Sequence, residues 1–215
     1  MKRFVTLSVV ALVVFFAPLA VSTPAAQAPQ APSDPNTWTI DSSHTAASFA
    51  VKHMLVSTVR GTLGPVKGTV TFDGKNVASV KADISIDVKG ISTDNQGRDD
   101  HLRSADFFDV ANHPTITFKS KRVQPGAGGA FKLIGDLTMR GVTKEVTLDV
   151  EAPAAVVTQP GRNGGAPTYR TGTTATTTLN RFDYGLQWNS LIEAGGGAVV
   201  GADVKVTLDL ELTRR

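Results

Sequence analysis

Three stretches of strict two-residue alternation limit what this chain can fold into. In "KADISIDV" (81–88), Ala82, Ile84, Ile86 and Val88 fall on one face, with Lys81, Asp83, Ser85 and Asp87 on the other. In "KEVTLDVE" (144–151), Val146, Leu148 and Val150 oppose Glu145, Thr147, Asp149 and Glu151. In "VKVTLDLEL" (204–212), five apolar residues from Val204 to Leu212 oppose Lys205, Thr207, Asp209 and Glu211. Successive side chains of a strand point to opposite faces, so each stretch is a strand with one dry and one wet face. That pattern belongs to antiparallel sheets and not to the doubly covered strands of parallel ones. Six further runs fit strands: 37–40, 47–53, 68–73, 115–123, 131–140 and 169–179.

Turn chemistry separates these runs. Asp73-Gly74 ends one strand. "MRGVTK" around Gly141 predicts a tight hairpin, while "QPGAGGA" (124–130) and "TQPGRNGGAPT" (158–168) predict longer hairpin loops. Only residues 94–112 break the rhythm. Asp94 is placed to cap a short helix running to about Arg103, and Asp99 and Arg103 have the four-residue spacing of a helical ion pair. Ser104 can cap a second turn with Asp106 near its N-terminal end. Pro114 then disfavours helix at His113 and returns the chain to extended structure. About nine strands with one helical insertion imply an up-and-down sandwich or barrel.

The N-terminus follows other rules. A basic start, Met1-Lys2-Arg3, precedes an apolar run from Phe4 to Ala17 and then small residues. This is the layout of a secretory signal peptide, expected to span residues 1–22 and to leave a Pro/Ala-rich linker over 23–36 before a folded domain at 37–215. Loss of Lys2 and Arg3 lowers the formal net charge from +3 to +1. No basic excess then remains for a nucleic-acid partner. The chain contains no cysteine, which excludes disulfides, thiol catalysis and thiolate metal ligands.

Four stretches stand out: "WTIDSSHTAASFAVKHMLVSTVRG" (38–61), "RDDHLRSADFFDVANHPTITFKS" (98–120), "GDLTMRGVTKEVTLDV" (135–150) and "NRFDYGLQW" (180–188). Together they resemble the YceI-like domain family, bacterial secreted proteins with a lipocalin-like barrel. The loops at 158–168 and 193–201 depart from the family pattern, at positions that border a barrel. The resemblance implies an all-β, antiparallel eight-stranded barrel with its helical insertion near 94–112. It also implies a periplasmic or secreted protein that sequesters or carries an isoprenoid-like or fatty-amide-like chain in the lumen. It brings no catalytic residues and no cofactor, although an isoprenoid quinone is among the ligands it suggests. An apolar lipid is the expected partner, with room for transient membrane contact and for a homodimer.

On that basis the expected lumen and mouth residues are Phe49, Val51, Phe72, Ile84, Ile86, Val88, Phe107, Phe108, Ile116, Phe118, Leu137, Leu148, Phe182 and Trp188. His53, Arg60 and Tyr184 are expected to contact a polar head group. Two alternatives compete. One is a filled barrel that acts as an interaction module without ligand. The other is a His-based metal-dependent enzyme assembled from His44, His53 and His101, although no two of the four histidines have the spacing of adjacent ligands on one strand or helix. Motifs of known hydrolases, G-x-S-x-G and H-E-x-x-H, are absent from the sequence. "GGGAVVG" (195–201) precedes a strand, so it lacks the helix N-terminus that holds phosphate.

Overall fold

The period-two stretches become the staves of a closed barrel. The structure, a computed structural model, describes residues 34–161, 164–191 and 198–215. The signal-peptide segment and nearly all of the expected linker lie outside the described residues. Within them run β1 (Thr37–Ile40), β2 (Ala46–His53), β3 (Ser57–Thr62), β4 (Val66–Thr71), β5 (Lys81–Asp87), α1 (Gln96–Arg103), β6 (Thr115–Pro125), β7 (Phe131–Met139), β8 (Val142–Val150), β9 (Val157–Gln159), β10 (Thr168–Asn180) and β11 (Val200–Arg214).

All strand pairs are antiparallel, in the order β3-β2-β11-β1-β4-β5-β6-β7-β8-β10-β9, and a β10–β11 pairing closes the ring. β1 and β2 both lie along β11, and β3 and β4 face them in turn, so these four segments form two long, kinked staves. With β5, β6, β7, β8, β10 and β11 they make an eight-stave barrel, and β9 is a short outer addition to β10. The sandwich alternative is thereby excluded. Closure removes most of the sheet edge that would otherwise invite pairing with other chains, and only β3 and β9 keep one unpaired side among the described residues.

One seam is thinner than the rest. β7 and β8 pair over nine residues each, and β10 and β11 over twelve. β8 and β10 pair only at Ala175↔Val150 and Thr176↔Asp149.

Two of the strands were not legible as alternation. β3 reads "STVRGT", and its inner position 61 is glycine because Phe49 covers it. A Cβ there would meet Ser92 O at 2.4 Å and the Phe49 ring at 2.9 Å. β9 is short and exposed along its length. The hairpin at "MRGVTK" is a two-residue turn between Met139 and Val142, with Arg140 at φ 48° and Gly141 at φ 74°. Positive φ at both central positions matches the right-handed twist of the flanking strands.

The helical insertion differs from expectation in its cap and its ion pair. Asn95, not Asp94, caps α1, its side chain accepting from Arg98 N–H. Asp94 instead takes a left-handed conformation, φ 57°. Asp99 does not pair with Arg103. It is buried, and one carboxylate oxygen accepts from Thr93 N–H at 2.8 Å and Thr93 Oγ1–H at 2.5 Å. Arg103 pairs with Asp100 at 2.9 Å and donates to the carbonyls of Lys89 and Ile91, which fastens α1 to the chain leaving β5.

Candidate functional site: an apolar lumen

The inward faces of the staves do not meet completely. Three spaces follow one another along β11, a strand of 15 residues and hence about 50 Å long. The central space is about 120 Å³ and lies against Val204, Val206 and Leu208. Its wall is apolar, from Phe49 and Ile84 to Phe118 and Met139, and among the described residues its only polar members are Thr177 and Arg181. A lower space of about 40 Å³ shares Ile84, Leu148 and Leu208 with the central one and continues to Leu212. A mouth space of about 190 Å³ shares Phe49, Val51, Leu102, Phe107 and Val200 with the central one, and adds Lys52, His53, Arg98, His101 and Trp188. The lumen is therefore long and largely apolar; Thr171 and Thr173 line its lower end, and the charged and imidazole side chains gather towards the mouth.

The lower end is sealed. Trp38 is fully buried there and donates its Nε1–H to Phe72 O at 2.9 Å. The Arg214 guanidinium covers the Trp38 ring at 4.4 Å and the Tyr169 ring at 5.3 Å. Such contacts are attractive because the ring face is electron-rich.

The mouth is framed by α1 and the segment that follows it. Leu102, Phe107 and Phe108 reach the central space. His101 Nε2 lies 2.8 Å from Asp106 Oδ2, and its ring meets Phe107 and Trp188 edge to face. Arg140 donates to Ala105 O at 2.7 Å and also to Gly185 O, so the β7–β8 hairpin holds the α1 segment to the turn after β10.

Arg181 is the buried cation of this wall, at 4% exposure. Its guanidinium donates to Gly201 O at 2.9 Å, Trp188 O at 2.9 Å, Val200 O at 3.2 Å and Leu186 O. Burial pushes its pKa below the ordinary guanidinium value. Four carbonyl acceptors satisfy most of its five N–H groups, and they tie the 186–188 segment to the start of β11.

The sequence-derived candidates divide into clear groups. Phe49, Val51, Ile84, Ile86, Phe107, Phe108, Ile116, Phe118, Leu137 and Leu148 line the central space. Phe72 lines the lower space, and His53 and Trp188 line the mouth. Four candidates lie elsewhere. Val88 is fully buried but sits in a short helical turn after β5, outside the lining of all three spaces. Arg60 is exposed on the outer side of β3. Phe182 is 36% exposed beneath the Arg181 guanidinium. Tyr184 is buried outside the lining, and its hydroxyl has no hydrogen-bond partner among the described residues. These last two follow a strand end, where a helical turn replaces the period-two rule that placed the others.

Sequence reasoning passed over Leu63, Leu102, Met139, Thr177, Leu179, Arg181, Leu186, Val200, Val204, Val206 and Leu208, all of which line the central space. Alternation had already put Val204, Val206 and Leu208 on a dry face. Nothing local marks Arg181 as inward, because its placement depends on the start of β11, whose Val200 and Gly201 carbonyls join those of Leu186 and Trp188.

The histidines do not assemble. His44 precedes β2 and His53 ends it, so the eight residues of that strand hold them about 25 Å apart. His101 shares the mouth with His53. His44 Nδ1 lies 3.1 Å from Asp41 Oδ2, and with Glu211 this forms a group of metal-ligand types near the sealed end. Arg170 already supplies the cation there, donating to Asp41 Oδ2 at 2.9 Å and to Glu211 Oε1.

The pattern that defines the YceI-like domain matches residues 38–212. A UPF0312 protein of Staphylococcus aureus strain N315 is 35% identical over 176 residues, covering 82% of this chain and 96% of that protein. The structure of a Campylobacter jejuni YCEI protein is similar at 27% identity and a TM-score of 0.62, over 76% of this chain and 90% of that one. A polyisoprenoid binding domain from Saccharophagus degradans shares the fold at 14% identity and a TM-score of 0.58, over 83% of this chain and 98% of that one. With the family pattern spanning the barrel from Trp38 to Leu212, this chain belongs to the YceI-like domain family.

Proposed function

We propose that this protein binds a long apolar chain, of isoprenoid or fatty-amide type, lengthwise in the barrel and sequesters or carries it. The observation that carries this reading is the run of three adjoining spaces from a polar-rimmed mouth to a sealed apolar end. Burying a hydrocarbon chain gains about 0.8 kcal/mol per methylene, so a tail of many carbons needs no charged partner in the wall. The fold shared with a polyisoprenoid binding domain supports the reading. Binding, and not catalysis, is the proposed role of the mouth histidine His101, whose ring braces Phe107 and Trp188. An isoprenoid quinone would be cargo rather than a cofactor. The basic and apolar N-terminal stretch supports a periplasmic or secreted location.

The central space of about 120 Å³ is narrower than the usual ligand pocket of about 300–1,000 Å³. That observation favours a second reading, a barrel filled by its own side chains that serves as an interaction module. Solvent extraction of the purified protein followed by mass spectrometry separates the two. Carriage requires a stoichiometric lipid, or uptake of an added long-chain quinone or fatty amide. A clean extract combined with no uptake of either probe leaves the filled barrel.

A further inference from the structure

The hairpin between β2 and β3 ends in Met54-Leu55-Val56, which are 41%, 72% and 84% exposed. Single exposed apolar residues are ordinary on protein surfaces, but three in succession on a projecting tip are not. The backbone presents them deliberately. Met54 and Leu55 have φ 51° and 63°, a left-handed conformation in which Gly or Asn is the usual choice. The tip is also pinned, with Met54 N–H donating to Val199 O at 2.8 Å and Val56 N–H to His53 O at 3.1 Å. Val199 in turn donates to Ser190 O, so the 82% exposed Leu191 stands on the adjoining segment.

The charges around this tip differ from those on β6, β7 and β8. Along the outer faces of β6, β7 and β8, Lys119, Lys121, Arg122, Lys132 and Lys144 all pair with carboxylates. On the hairpin, Lys52 and Arg60 are exposed and have no ion pair or side-chain hydrogen bond among the described residues. Register puts them on one face, Lys52 opposite Thr58 and Arg60 opposite Ala50. Of the acids at the same end, Asp100 is engaged by Arg103 and Asp106 by His101, while Asp94 and Asp203 are exposed without an ion pair among the described residues. Lys52, His53 and Val59 of this hairpin also wall the cavity mouth.

We propose that this hairpin docks the protein on an anionic lipid bilayer. Met54, Leu55 and Val56 enter the head-group region while Lys52 and Arg60 meet lipid phosphates, which brings the mouth of the lumen against the membrane. Apolar burial combined with cation attraction is the logic of interfacial binding. A second copy of the chain is a poorer occupant, because a matching tip would bring like charges together. The docking gains its purpose from the proposed lipid cargo, but its chemistry stands without it.

Flotation of the protein with vesicles tests this, using phosphatidylcholine alone and phosphatidylcholine mixed with phosphatidylglycerol. Binding is expected to the mixed vesicles and to weaken with salt. Leu55→Asp and Val56→Asp are expected to weaken it about ten-fold or more, and Lys52→Glu with Arg60→Glu to abolish the preference for the anionic lipid. These side chains are exposed, so thermal unfolding should be unchanged and serves as the folding control. Failure of the wild type to float with either vesicle, or unaltered flotation of the Asp variants, would overturn the proposal. So would a dimer in sedimentation that Leu55→Asp dissolves without any vesicle binding. Cargo is read separately by extraction. Vesicle binding with an empty extract and no probe uptake defeats only the carrier reading, whereas loaded protein that ignores vesicles defeats only the docking.

Discussion

The rings of His101 and Trp188 meet at the mouth of the lumen with centroids 4.8 Å apart and planes at 86°. Phe107 completes the cluster, 5.0 Å from His101 and 5.3 Å from Trp188. Edge-to-face pairs of this kind contribute about 0.5–1.5 kcal/mol each beyond their buried area. His101→Ala removes two of them together with the contact to Asp106. It should lower stability to urea by about 1–2 kcal/mol and speed both uptake and release of a bound chain. Stopped-flow fluorescence checks the rates, because Trp188 is one of only two tryptophans and the other is sealed at the far end.

Leu148 stands where the central and lower spaces adjoin. Leu148→Trp should block that junction, so that short chains still bind and long ones do not. Overpacking should cost about 1–3 kcal/mol of stability. Affinity measured against a series of chain lengths checks this, and an unaltered length preference would place the ligand elsewhere.

Arg170, with help from His44, holds the Asp41 carboxyl down to about 2. In the unfolded chain an aspartate titrates near ~3.9. A depressed folded pKa gives stability that is present in full above about pH 4 and lost as pH falls towards 2. Chemical unfolding followed across that window should show the loss. Asp41→Asn should remove this part of the slope, and Arg170→Gln should shrink it by withdrawing the principal hydrogen-bond donor.

Burial, with the nearby Asp183 charge second, pushes the Tyr184 hydroxyl up to about 12. A raised pKa on an acid that is neutral when protonated gives stability present below about pH 10, lost as pH rises from 10 towards 12. Tyr184→Phe should flatten that alkaline slope. At neutral pH it should leave stability equal or raise it by about 1 kcal/mol, since the hydroxyl is buried without a partner among the described residues. Calorimetry of both proteins at neutral and alkaline pH tests the pair of effects.

Legibility in the sequence followed the period-two rule. Ile84, Ile86 and Leu148 fall on the dry face of an alternating stretch and line the central space, as do Ile116, Phe118 and Leu137, which were expected there from the family resemblance. The Arg140-Gly141 turn was legible too, because a two-residue hairpin demands positive φ. Where a strand gives way to a helical turn, the rule stops. Val88, Phe182 and Tyr184 lie just past such points, and the structure puts them outside the lumen. Strand β3 was missed for another reason. Its inward glycine carries no side chain to read, and only the ring of Phe49 across the pair explains why it is there.

What the sequence by itself determined is therefore local: which stretches extend, which side of each is dry, where the tight turns fall, and that no cysteine is available. These follow from side-chain periodicity and turn geometry, which act over a few residues. Only the tertiary structure decided that the first four segments join into two kinked staves. It alone closed β10 on β11, turned Arg181 inward onto the carbonyls of Val200 and Gly201, and left an apolar run of space along the axis. Each of those depends on partners far apart in the chain, whose meeting is set by barrel closure and not by any local pattern.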